Sequence, residues 1–212
     1  NLTSGDGTKT VYAKFKDGAN NWSDVWPEMI VLDTTAPSTN ASPVEGVYNT
    51  VTVVTLTCND GAGSGCDKIY YTTAGSTPTT SSNIYYSTIS VSVTTTLKYF
   101  AVDLAGNSES VKTQLYTIDT ISPTGSISIN GGAIYTNTAN VTLPLSCSDS
   151  SGCSQMQFSN DNTNWSTPES YASTKAWTLA TGGGTKTVYV KFKDGASNWS
   201  LLYSAAIFVD RV

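Results

Sequence analysis

The chain has 212 residues, 11 Lys and Arg against 16 Asp and Glu, a net charge of -5 and no histidine. That balance lacks the clustered basic residues that hold phosphate, which excludes nucleic acid, and without an imidazole neither a Ser-His-Asp nor a Cys-His arrangement can be built. Charged residues are only 13% of the chain while Ser, Thr, Asn, Gly and Tyr abound, a composition of short strands and many turns, and no apolar run reaches membrane-spanning length.

The opening segment recurs at the far end with a constant offset. Val11-Tyr12 returns as Val188-Tyr189, and Lys14-Phe15-Lys16-Asp17-Gly18-Ala19 as Lys191-Phe192-Lys193-Asp194-Gly195-Ala196. An internal repeat of this kind marks an array of like modules. Two related linkers, Asp33-Thr34-Thr35-Ala36-Pro37 and Asp119-Thr120-Ile121-Ser122-Pro123, divide the chain into residues 1–33, 34–119 and 120–212. The first piece reads as the back half of a sandwich, which cannot bury two sheets alone. Its apolar face and strand edges need cover, from preceding chain or from a neighbouring subunit. The absence of a signal peptide suits a mature secreted segment or a piece of a longer chain.

In the middle module, alternation predicts strand B at Val51–Cys58, C at Lys68–Thr73, F at Leu97–Asp103 and G at Ser110–Ile118. The last module repeats this with B at Val141–Cys147, C at Gln155–Ser159, F at Thr187–Lys193 and G at Leu201–Val209. Each full module is long enough for about seven strands around one core.

Cys58 and Cys66 flank the B to C loop of the middle module, and Cys147 and Cys153 flank the same loop of the last. Two matched local pairs predict two disulfides and an oxidising compartment, with buried free thiols or zinc as the alternatives. Asp60 and Asp149 lie in those loops, while Asp103 with Asn107, and Asp194 with Asn198, lie at the F to G turns. The linker aspartates, Asp33 and Asp119, fall at the same end of each sandwich. Oxygen ligands converging from a linker and two loops are what calcium requires, although Asp and Asn before Gly also serve as ordinary turn formers. Trp22 and Trp199 follow the F to G turn and Trp165 follows a turn after strand C; each is a candidate glycan contact or a cover for its own core.

Tyr70-Tyr71-Thr72-Thr73, Gly75-Ser76-Thr77-Pro78-Thr79 and Ala101-Val102-Asp103-Leu104-Ala105-Gly106-Asn107 give the middle module its character, which resembles the chitobiase C-terminal type of accessory domain. The last module, through Gln157-Phe158-Ser159-Asn160-Asp161 and Trp165-Ser166, is similar to repeats of long bacterial extracellular proteins. The resemblance implies an all-β chain of tandem immunoglobulin-like or fibronectin-like antiparallel sandwiches, the first incomplete, in a secreted or cell-surface bacterial protein. It further implies a non-catalytic stalk, adhesin or filament segment, with neighbouring modules, copies of the same protein, or a surface glycan or protein as partners. Calcium at the module junctions is implied as well, because some large bacterial adhesins use it there. The alternative reading is a carbohydrate-binding accessory region of a larger secreted hydrolase. Catalysis by two loop carboxylates finds no evident cleft, so no enzyme is expected.

Overall fold

A computed structural model describes residues 2–210, so that Asn1, Arg211 and Val212, the outer limits of the first and last predicted modules, lie outside the described residues. Strands β1 (Gly7–Ala13) and β2 (Trp26–Leu32) form an antiparallel hairpin. Next come β3 (Ser38–Ser42), β4 (Gly46–Tyr48), β5 (Thr52–Asn59), β6 (Cys66–Thr72), β7 (Asn83–Ile84), β8 (Ile89–Val91), β9 (Thr95–Asp103) and β10 (Lys112–Ile118). They make a sheet of order β3-β5-β8 and one of order β4-β10-β9-β6-β7. The remaining strands are β11 (Thr124–Ile127), β12 (Tyr135–Thr136), β13 (Asn140–Ser148), β14 (Cys153–Ser159), β15 (Glu169–Ser170), β16 (Thr174–Thr178), β17 (Gly184–Asp194) and β18 (Tyr203–Val209). Their sheets, β11-β13-β16 and β12-β18-β17-β14-β15, repeat the same order. Two compact units result, residues 1–46 with 52–116, and residues 47–51 with 117–212.

The expected all-β sandwich architecture is therefore present, and its cause is a period of two. On β5, Thr52, Val54 and Leu56 are buried while Val53, Thr55 and Thr57 face solvent. On β17, Val188, Val190, Phe192 and Asp194 are buried between partly exposed neighbours. In the second unit Val188, Val190 and Phe192 meet Val141, Leu143 and Leu145 of β13 in one core. Every predicted B, C, F and G strand is found within three residues of its expected ends.

Each sandwich holds eight strands rather than about seven because its first strand is divided between the two sheets. In the first unit the break falls at the cis peptide bond between Ser42 and Pro43, where no backbone N–H is available to continue the ladder. In the second unit Asn130, Gly131 and Gly132 turn the chain with φ of 48°, 70° and 93°.

Both predicted disulfides are formed, Cys58–Cys66 and Cys147–Cys153, with Cα–Cα separations of 6.3 and 6.2 Å. Each joins a strand of one sheet to a strand of the other, β5 to β6 and β13 to β14, across a short loop. The register against the neighbouring strand slips directly after the cysteine, between Cys66 and Lys68 and again between Cys153 and Gln155. The disulfide and the slip together fix the loop that carries Asp60 or Asp149.

Candidate cation site

Three aspartates approach one another at the corresponding end of each sandwich. Asp33 follows β2, Asp60 follows β5 and Asp103 ends β9; likewise Asp119 follows β10, Asp149 follows β13 and Asp194 ends β17. In each set one carboxylate oxygen from every residue lies within 4.8 Å of the others. Asp33, Asp103, Asp119 and Asp194 are buried, and Asp60 and Asp149 are half-buried.

The first set is held by backbone donors. Asp33 Oδ1 accepts from Thr35 N–H and Oδ2 from Ser64 N–H at 2.7 Å, while Asp60 Oδ2 accepts from Gly65 N–H at 2.7 Å. The Ser64 hydroxyl and N–H hold the Asp33 carboxyl below its ordinary range, the N–H of Thr35 adding to them. Asp103 grips the following turn, accepting Asn107 N–H and Asn107 Nδ2–H, each at 2.8 Å. The same Asn107 amide donates to the Asp33 carbonyl oxygen at 3.2 Å, tying linker to turn.

The second set is built alike. Asp119 accepts from Ile121 N–H and from the Ser150 hydroxyl, and these donors together with Ser151 depress its pKa, Ile121 most strongly. Asp149 Oδ1 accepts from the N–H and hydroxyl of Ser151. Asp194 holds Asn198 N–H at 2.7 Å and its Nδ2 at 2.8 Å, and that amide reaches the carbonyls of Asp119 and Ile121. Both asparagines thus come to the site as amide donors that clamp the carboxylates.

The donor set fits a hard divalent cation. Calcium sits about 2.3 to 2.6 Å from each oxygen, so oxygens on opposite sides of one ion are about 4.6 to 5.2 Å apart, and three carboxylate oxygens all within 4.8 Å of one another can reach a single ion. Asp60 Oδ1 is buried without a hydrogen-bond partner, an expensive state for a carboxylate oxygen unless something else meets it. Gly63 lets its loop close directly on these carboxylates, since an added Cβ there would stand 2.5 Å from Asp60 Oδ2 and 2.8 Å from Asp33 Oδ2. Asp33, Asp60 and Asp103 would hold the ion in the first unit and Asp119, Asp149 and Asp194 in the second. A bound divalent cation supplies positive charge that converts mutual repulsion among three carboxylates into a tie between linker and loops.

A turn motif underlies the site and also accounts for the tryptophans. In Asn21-Trp22-Ser23, Asn164-Trp165-Ser166 and Asn198-Trp199-Ser200 the asparagine Nδ2 donates to Asp17, Asp161 or Asp194, at 3.0, 2.6 and 2.8 Å. The serine Oγ accepts the N–H of Phe15, Phe158 or Phe192, at 2.9, 3.0 and 2.9 Å. Lys16, Lys191 and Lys193 lie over the Trp22, Trp165 and Trp199 rings. At the equivalent place of the first unit Glu109 takes the serine's part, Oε1 accepting Ala101 N–H while the carboxylate meets Thr39 and Lys112. Sequence reasoning missed Glu109 because no Asn-Trp-Ser precedes it; its alignment with Ser200 was the available signal.

Residues 43–113, within the middle sandwich, match the family model described as the chitobiase/beta-hexosaminidase C-terminal domain. The resemblance read from that module's residues is borne out. No curated protein matches the chain significantly. Among solved structures, fibronectin(III)-like modules of Clostridium thermocellum CbhA are 20% identical over 82% of this chain and 95% of theirs, with a TM-score of 0.47. Chicken CNTN1 FN1-FN3 domains are 11% identical over 96% of this chain and 76% of theirs, with a TM-score of 0.46. The D00-D0 domain of Intimin is 12% identical over 82% of this chain and 99% of its own, with a TM-score of 0.34.

Proposed function

We propose that the chain is a non-catalytic structural segment of an extracellular array, a stalk, adhesin or filament, in which each sandwich fastens its incoming linker through a calcium site. The observation that carries this reading is the recurrence of the aspartate triad at equivalent strand ends of both sandwiches. In each unit the convergent polar chemistry is spent on the module's own ends. The linker aspartate supplies a carboxylate, the loop closed by the disulfide supplies the second, and the end of the long F strand supplies the third. Partners in such an array are neighbouring modules or further copies of the chain, and disulfides suit a location outside the cell. Titration of the full chain with calcium chloride by calorimetry tests it: two sites per chain are expected, and no heat would refute the cation reading.

A second reading is favoured by the family match, whose description places the related domain in chitobiase and hexosaminidase. On that reading the segment is a carbohydrate-binding accessory region of a hydrolase, with Trp22, Trp165 and Trp199 as candidate glycan contacts. Retention of the chain on insoluble chitin, lost on replacing an exposed tryptophan such as Trp22, supports it; passage without retention counts against it.

A further inference from the structure

The β1-β2 hairpin is the β17-β18 hairpin without its surroundings. Pairing from Gly7↔Leu32 to Ala13↔Trp26 repeats Gly184↔Val209 to Val190↔Tyr203 residue for residue. In the second unit the hairpin belongs to a closed sandwich. There β17 continues to Asp194 because its other edge is bonded to β14, from Ser159↔Tyr189 to Cys153↔Asp194. Its inward side chains share a core with Val141, Leu143 and Leu145, and β11 touches both β17 and β18.

The first hairpin has neither neighbour among the described residues. β1 stops at Ala13. Val11, Phe15 and Ile30 are 49%, 66% and 54% exposed, where Val188, Phe192 and Ile207 are 0%, 0% and 2% exposed. Asp17 makes the same clasp with Asn21 that Asp194 makes with Asn198, so the local fold is complete and only the cover is missing. Both a free strand edge and an apolar face are presented together, which is a surface for strand addition as well as for face-to-face packing.

We propose that the hairpin is the receiving half of a sandwich and that its partner is a strand block of the same kind as residues 120–178. Such a block lays an aliphatic sheet like β11-β13-β16 over Val11, Phe15 and Ile30, and pairs a strand like β14 with the edge of residues 12–17. The internal repeat identifies the occupant, because the same side chains in the same register are covered by that block in the second unit. Three differences shape it further. Ala13 stands for Val190, Trp26 for Tyr203 and Glu28 for Ala205, so the partner carries more bulk opposite Ala13 and a hydroxyl or ammonium donor opposite Glu28.

The test is a fusion placing residues 120–177 ahead of Asn1 of the full chain, since the repeat aligns Asn1 with Thr178. Hydrogen exchange of the amides of residues 12–17 is compared in the fused and unfused chains. Burial under a docked block slows these amides by roughly a hundredfold, and Phe15→Asp abolishes the protection in the fusion while leaving the unfused chain unchanged. A second fusion carrying Glu28→Ala guards against failure through that one polar group. Unchanged exchange in both fusions overturns the proposal, as does protection that survives Phe15→Asp. Self-association of the unfused chain with these amides already protected also overturns it, by making a second copy the occupant.

Discussion

Phe192 and Phe15 are the same residue of the repeat in opposite environments, so replacing each by alanine isolates burial from every local effect. Phe192 is fully buried, its ring against Tyr171 and Tyr203 at centroid distances of 6.0 Å each. It also lies directly on Gly125, where an added Cβ would be 2.5 Å from the ring, so on that side there is backbone and no side chain to fill the hole. A buried Phe→Ala change costs about 3 to 5 kcal/mol, and the two aromatic contacts and the rigid floor place Phe192→Ala in the upper part of that range. At about 4 to 8 °C per kcal/mol for a domain of this size, melting of the second unit falls by roughly 15 to 40 °C. Phe15→Ala removes an exposed ring and changes stability by no more than about 0.5 kcal/mol. Differential scanning calorimetry of the two variants reads both numbers. Equal shifts for the two positions would refute the assignment of one hairpin to a core and the other to solvent.

Gly195→Ala drives a Cβ into the Ser151 carbonyl, whereas Gly18, its repeat counterpart, has nothing within 4 Å; denaturant titration should find the first substitution destabilising by more than about 1 kcal/mol and the second near neutral. Asp33 and Asp119 have carboxyls held below their ordinary range, so the unfolded chain takes up protons first as pH falls. Their contribution is complete above about pH 4 and is lost as pH drops through the folded values, so melting temperatures followed by circular dichroism should decline on acidification below about pH 4 and stay level above pH 5. Replacing Cys147 and Cys153 by serine opens a loop worth about 2 kcal/mol by chain entropy, and it should weaken calcium binding in the second unit as well, since Asp149 rides on that loop.

The long strands were legible because β5, β9, β13 and β17 run long enough for alternation to declare itself, and because each ends at or just before an Asp followed by a Gly-containing turn, Asp60-Gly61, Asp103 to Gly106, Asp149 to Gly152 and Asp194-Gly195. Two-residue strands such as Asn83–Ile84, Tyr135–Thr136 and Glu169–Ser170 show no period and exist only through their partners. The division of the first strand between sheets was likewise invisible, since it depends on which sheet offers a free edge. Alignment of the repeat, with the expected sandwich topology, brought the six aspartates to one end of their modules. What it could not supply was the direction of each side chain: the amide nitrogens of Asn107 and Asn198 pointing at carboxylates and linker carbonyls, the serines that hold Asp33, Asp119 and Asp149, and the close approach of Gly63 to the Asp33 and Asp60 carboxylates. From their places after turns the tryptophans read either as glycan contacts or as covers for their own cores, and the lysines laid over them come from neighbouring strands that only pairing reveals.

On the proposed function the two aspartate triads bind a cation and so fasten each sandwich to its incoming linker. Calorimetric melting of the whole chain in chelator and in calcium at about a hundred times the dissociation constant reads this binding in both units at once. A ligand at that level stabilises the folded state by about 2.7 kcal/mol, which raises the melting temperature of each unit by roughly 10 to 20 °C. Asp103→Asn should remove the shift from the first unit alone and Asp194→Asn from the second alone. Superimposable melting curves with and without calcium would overturn cation binding at both triads.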